Sequence, residues 1–244
     1  MDQSSTGDCF SSRTGISNNM SAQTKTDKDQ ALDGRLQSIV TISALTATGD
    51  LENLRSAFKG GLDFGLTINE IKDVLVQMYA YCGFPRSLNG ISTFMSILEE
   101  RKKGGVTDVE GKTSTPISEG DKYERGRKTL EKLTGQPQSK PAPGFGEFSP
   151  TIDRFLKEHL FADIFDSDVL SHQQRELATI SALAATTGVQ PQLESHISMG
   201  MNTGLTERGL NQAFDLIERS ISKVQAETAR RALAKVADAR RKNQ

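Results

Sequence analysis

Residues 171–183 read Ser171-His172-Gln173-Gln174-Arg175-Glu176-Leu177-Ala178-Thr179-Ile180-Ser181-Ala182-Leu183, and this stretch decides the fold class. Ser171 followed three residues later by Gln174 is a capping-box start, in which each residue satisfies a helix-end amide that has no partner inside the helix. Gly188 is a stop signal, so one helix of about four turns lies between them. Glu176 shares a stripe with Ile180 and Leu183, which aims its carboxylate at apolar neighbours. The next helix opens near Pro191 and places His196 one turn from Gln192, Leu193, Met199 and Gly200. A carboxylate and an imidazole, each half-sunk in the apolar face of consecutive antiparallel helices, can meet. Glu176 and His196 are therefore the candidate catalytic pair. The plainer alternative is a boundary Glu paired with a neighbouring Arg and a His hydrogen-bonded in place.

The same stretch recurs earlier in the chain. Thr41-Ile42-Ser43-Ala44-Leu45 repeats as Thr179-Ile180-Ser181-Ala182-Leu183, and Ala47-Thr48 as Ala185-Thr186. Leu54, Ser56, Gly61 and Gly65-Leu66-Thr67 then match Leu193, Ser195, Gly200 and Gly204-Leu205-Thr206. Two related helical units thus share one chain. They differ where chemistry is at stake. Arg175 and Glu176 face Gln37 and Ser38, and His196 faces Ala57. Conversely, Tyr79-Ala80-Tyr81-Cys82-Gly83-Phe84-Pro85 has no counterpart in the second unit. The motif parts are divided between the copies, so Phe84 and Pro85, of the same chain or of a neighbouring subunit, are expected to wall a composite pocket around His196.

No period-two alternation occurs, so the fold is expected to be all-α, a duplicated helical bundle. Residues 1–31 are polar and read as a disordered tail holding an exposed, inert Cys9. Residues 32–103 form the first repeat, 104–120 a linker, and 121–244 the second repeat with its leader helices. Within the first repeat, Thr67 and Glu70 make a second capping box, and the helix after it breaks at Gly83-Phe84-Pro85. Beyond the break Leu88, Ile91, Met95 and Leu98 are expected to face inward. Ser149-Pro150 is expected to open a helix with Ile152, Phe155, Leu156 and Leu160 as its apolar positions.

Composition excludes several classes. Among 244 residues, 30 Lys+Arg balance 31 Asp+Glu, which advertises no nucleic-acid partner. Trp is absent and aromatics make 6%, too few for a base- or sugar-stacking platform. Three His at 159, 172 and 196 lack metal-type spacing, and no cofactor motif is found. Cys9 and Cys82 form no Cys-x-x-Cys. No apolar run reaches membrane length and no leader-like segment opens the chain, so a cytoplasmic location is expected.

At Arg175-Glu176-Leu177, His196, Gly204-Leu205-Thr206 and Tyr81-Cys82-Gly83-Phe84-Pro85-Arg86-Ser87-Leu88-Asn89, the chain resembles the carboxymuconolactone decarboxylase family, within the alkyl hydroperoxidase D-like superfamily. Tyr123-Glu124-Arg125-Gly126 and the segment from Phe155 to Leu170 look like the leader of the gamma-carboxymuconolactone decarboxylase branch. The resemblance implies an all-helical fold and a ring-like homo-oligomer, a trimer of two-repeat chains. It implies either decarboxylation of a lactone acid or thiol peroxidase chemistry. Peroxidase members flank a Cys-x-x-Cys with Glu and His, and no cysteine lies between Glu176 and His196. Proton transfer on a small unsaturated carboxylic acid or lactone is the chemistry that remains. Arg175 then anchors the substrate anion or serves an ion pair, His196 moves the proton, and Glu176 orients the imidazole or acts as base. Tyr79, Tyr81 and Cys82 line the pocket or pack in the core. A lone-thiol peroxidase using Cys82 and a non-catalytic scaffold are the alternatives.

Overall fold

A computed structural model describes residues 31–117 and 120–242; residues 1–30, with Cys9, lie outside the described part. The chain is all-helical, with no strand among the described residues. Helix α1 spans Gly34–Thr48, α2 Leu51–Asp63, α3 Ile68–Lys103 and α4 Lys122–Thr134. Two short helices follow, α5 Phe145–Phe148 and α6 Pro150–Arg154, the latter running into a π-helical segment at Phe155–Ile164. The second repeat is completed by α7 His172–Ala185, α8 Gln190–Asn202, α9 Glu207–Ser220 and α10 Lys223–Lys242.

The duplicated stretch forms the centre. Helices α1 and α7 pack directly on one another. Every residue of α1 from Ile42 to Ala47, and every residue of α7 from Arg175 to Ala185, is buried. A helix apolar on all sides must be surrounded, which is why neither shows the single apolar face of a surface helix. The core follows from this pairing. One cluster joins Val40 and Ala44 to Leu177, Ile180, Leu193 and Phe214, and another joins Ile39, Ile42 and Phe58 to Ala178 and Ala182. Each cluster draws on both repeats, so the two units bury one continuous interior.

The repeats match at the level of single contacts. A methyl placed on Gly61 would meet Ile42 at 3.2 Å, Leu66 at 3.2 Å and Ser38 at 3.5 Å. One placed on Gly200 would meet Ile180 at 2.8 Å, Leu205 at 2.9 Å and Glu176 at 3.6 Å. The same glycine, isoleucine and leucine recur; only the fourth partner changes, from Ser38 to Glu176. In both copies the glycine lets the second helix lie close to the first.

Local signals behave as their chemistry requires. Both capping boxes form, Thr67 with Glu70 and Ser171 with Gln174. The Gly83 backbone sits at φ 81, ψ 159, outside helical geometry, and splits α3 into two helical parts ahead of Pro85. The linker is strapped down at Val109, Glu110 and Thr115. Carbonyls of Val109 and Glu110 accept from the amides of Ile68 and Asn69, both at 2.9 Å, satisfying the start of α3, and Thr115 donates to Asp168.

One expected face is corrected in part, since Ile91 and Leu98 pack against the core as expected and Leu88 and Met95 do not. Beyond Gly83, Leu88 and Met95 are 55% and 59% exposed, while Ser87, Gly90, Phe94 and Ile97 turn inward. That part of α3 carries two overlapping stripes. The inner one wins because Gly90 allows close approach to Leu75, Ser87 donates to the Leu75 carbonyl at 2.7 Å, and Phe94 packs on Phe58. On the helix opened by Pro150, Ile152 and Phe155 point outward. Its inward face holds Asp153 and Lys157, an ion pair at 2.8 Å. Tyr123 donates to Asp153 at 2.6 Å, and Lys157 donates to the Tyr123 hydroxyl and the Ser139 carbonyl. With its polar groups satisfied, that pair can be buried.

Candidate active site

Glu176 and His196 meet as their spacing predicts. Glu176 lies in the second turn of α7 and His196 midway along α8, and Nδ1 of His196 is 2.8 Å from Glu176 Oε2. Gly200, one turn after His196, lets α8 approach the Glu176 Cβ. The carboxylate is fully buried, while 9% of the His196 side chain remains accessible. In the tautomer in which Nδ1 donates to the carboxylate, the lone pair of the imidazole sits on Nε2. Nε2 has no hydrogen-bond partner among the described residues, so it is the atom free to take or give a proton.

The third member comes from the other repeat. Tyr81, near the end of the first part of α3, lays its ring edge-on to His196 with centroids 5.5 Å apart. The ring is half-buried, and the hydroxyl end is sealed from solvent. Burial pushes that hydroxyl well above the ordinary phenol range, and the neighbouring Glu176 charge pushes the same way; Thr179 and Arg175 oppose them. The hydroxyl therefore stays protonated, a neutral donor.

Arg175 is placed for structure. Its guanidinium donates to Gln77 Oε1 at 2.9 Å and to the Ser167 carbonyl at 2.7 Å, and pairs with Asp73. Gln77 in turn donates to the Arg175 carbonyl at 2.8 Å and to Thr179 Oγ1 at 2.9 Å. This network ties α3 of the first repeat to α7 of the second. Both terminal nitrogens of Arg175 are thereby engaged by the protein itself, which removes the anion anchor expected of them. Sequence reasoning missed Asp73 and Gln77, although both lie on the helix of Val74 and Met78, at positions that face the partner repeat.

The Gly-Phe-Pro word sits elsewhere. Phe84 is 61% exposed and stacks on Tyr79 at 4.4 Å; Pro85 is also exposed. Within one chain, Tyr81 rather than Phe84 or Pro85 stands beside His196. Tyr79 in turn contacts the ring of His159, 5.5 Å away. Cys82 is half-buried and donates to the Met78 carbonyl, and burial pushes its thiol up to about 11, Arg86 opposing. It has the character of a packed, protonated thiol. No cluster of metal-ligating side chains occurs among the described residues.

An all-helical duplicated bundle with one buried carboxylate–imidazole pair defines a class, and comparison with known sequences places it. The sequence profile of the Carboxymuconolactone decarboxylase family matches residues 18–92 and 150–235, one segment per repeat, and the chain belongs to that family. It is also similar to an uncharacterized protein of Methanocaldococcus jannaschii, 27% identical over 66 residues. That match covers 27% of this chain and 62% of the archaeal protein.

Proposed function

We propose that the chain is an acid–base enzyme of the carboxymuconolactone decarboxylase type, acting on a small unsaturated carboxylic acid or lactone. The observation that carries this reading is the 2.8 Å contact between sealed Glu176 and partly accessible His196. In a decarboxylation the bond between the substrate carbon and its carboxylate breaks and carbon dioxide departs. The electron pair passes into the conjugated carbonyl as an enolate, and a proton returns to carbon. His196 Nε2 is the group that delivers or removes that proton, and Glu176 fixes the ring. In an isomerisation His196 Nε2 instead takes a proton from carbon, the electron pair of that C–H bond passing into the enolate, and the proton returns at a different carbon. Arg175 supports the site from behind by locking α7 to α3.

Thiol peroxidase chemistry is the weaker reading, because Cys82 has no second cysteine beside it among the described residues and its thiol is held protonated. The homo-oligomer belongs to the proposal as well. Phe84, Leu88 and Met95 form an exposed apolar ridge along the second part of α3 that a second copy can cover. The function is tested by incubating the purified chain with carboxymuconolactone and related unsaturated acids while following carbon dioxide release and proton NMR. Release of carbon dioxide or migration of the double bond is expected. Turnover of peroxide with a thiol reductant, and none of any acid, would replace this reading with the other.

A further inference from the structure

Glu176 is sealed and 9% of the His196 side chain is accessible, which leaves little of the ring for a substrate carbon to approach. What stands beside it is the leader, from α4 through the π-helical segment. Leu133, Phe161 and Phe165 of this unit bury Met199 and pack against Tyr79 and Tyr81, in a third apolar cluster whose buried members belong to neither central one. Met199 lies one turn after His196 on α8, and Tyr81 is edge-on to the His196 ring. The leader therefore closes on two side chains that stand next to His196. At the outer edge of the same seam, His159 of the π-helical segment meets Tyr79, which stacks on exposed Phe84.

The leader is stapled within itself. Lys122 pairs with Asp163 at 2.7 Å, Arg125 pairs with Asp166 at 3.0 Å, and the buried Asp153–Lys157 pair holds Tyr123. Toward the bundle, Asn202 Nδ2 donates to the Leu133 carbonyl at 2.8 Å, and the cluster around that bond is apolar. The chain leaves the leader at a pinned point. Arg175 donates to the Ser167 carbonyl, the Ser167 hydroxyl donates to Asp73 at 3.1 Å, and the Thr115 amide donates to Asp168. A unit that is internally bonded, docked by apolar contact and anchored where it ends can swing without unfolding. Its ten-residue π-helical segment adds a geometry that is rare and concentrates at functional sites.

We propose that the leader is a gate over His196: α4 and the π-helical segment lift off Met199 and Tyr81 as one body, along the seam that begins at His159, Tyr79 and Phe84, and substrate reaches Nε2 through the opening. The inference rests on the acid–base reading above, which makes His196 the group to be reached.

Diethyl pyrocarbonate reads the gate without any substrate, because it acylates an unprotonated imidazole nitrogen that it can touch. Peptide mass mapping follows His196 against exposed His159 in the same chain. In wild type His196 is expected to react about tenfold or more slower than His159, since it reacts only from the open state. Urea below the unfolding transition is expected to speed His196 acylation and hydrogen exchange of the leader amides in step, while α1 and α7 stay protected. Phe161→Ala, which empties part of the docking cluster, is expected to raise the His196 rate about tenfold or more. Phe58→Ala, a like-sized loss in the central core, is expected to leave it unchanged. His196 reacting as fast as His159, or reacting only as α1 and α7 exchange, overturns the gate. So does an unchanged rate in a folded Phe161→Ala, or an equal rise in Phe58→Ala. If a variant fails to fold, the wild-type urea series decides alone. Turnover is not read here, so a chain that decarboxylates nothing would sink the function proposed above and leave the gate standing.

Discussion

Asp153 and Glu176 are both carboxylates sealed from water, 1% and 0% exposed, and the chain treats them differently. Burial pushes the Asp153 carboxyl up, but Lys157, Tyr123 and the Ala142 amide outweigh it and hold the group below the ordinary carboxylate range. A carboxyl whose folded value is depressed adds stability above its unfolded value and loses it as pH falls through the folded one. Asp153→Asn is therefore expected to flatten the acid side of the stability–pH curve. It also strands the Lys157 ammonium, at a cost of about 3–5 kcal/mol in urea unfolding at neutral pH. Glu176, by contrast, has one oxygen engaged by His196 and one without a partner. Cys82 is the third residue with a test. Its thiol, raised to about 11, is expected to react slowly with Ellman's reagent at neutral pH. Cys82→Ala is expected to cost about 1 kcal/mol of stability and no activity; rapid peroxide consumption lost in that variant would show a working thiol. Glu176 and His196 were legible in sequence because each sits at helical spacing among apolar neighbours. Asp153 and Lys157 were not, because the apolar positions around them divide, Ile152 and Phe155 outward and Leu156 and Leu160 inward, so no single stripe marked the buried face.

Helix ends could be read from their chemistry, and helix faces only in part. Thr67, Ser171, Gly83 and Pro150 each act within a few residues of themselves, so local sequence carries the information. Which of two apolar stripes on the later part of α3 turns inward depends on Leu75 and Phe58, residues on other turns and other helices. The close approach of α4 to the π-helical segment is another relation between elements. A methyl on Gly126 would come within 1.7 Å of the Lys157 carbonyl, a clash with backbone that no rotamer relieves. Gly126→Ala is expected to cost about 3 kcal/mol or more, read as a lowered thermal midpoint. Gly60→Ala, where nothing lies within 4 Å, is the matched control and is expected to be neutral or slightly stabilising. Equal midpoints for the two variants would mean the α4 contact is looser than described.

At the scale of the whole molecule, duplication explains both the interior and the site. Matched helices α1 and α7 form the centre, and the first repeat carries Ser38 and Ala57 where the second carries Glu176 and His196, so the carboxylate–imidazole contact lies beside a tyrosine from the other copy. The recurrence of the sequence made the duplication legible. That Tyr81, and not Phe84 or Pro85, reaches His196 depends on how the repeats pack and could not be read from either copy alone. The exposed ridge of Phe84, Leu88 and Met95 bears on assembly. Leu88→Glu with Met95→Glu is expected to shift the species seen by light scattering toward the 26.6 kDa single chain, and an unchanged mass would place the interface elsewhere. Proton movement by His196, held by Glu176, is measured as kcat/KM for carboxymuconolactone in wild type and in His196→Asn. A fall of about 100-fold or more is expected, with the fold intact by circular dichroism; an equally active His196→Asn would contradict it.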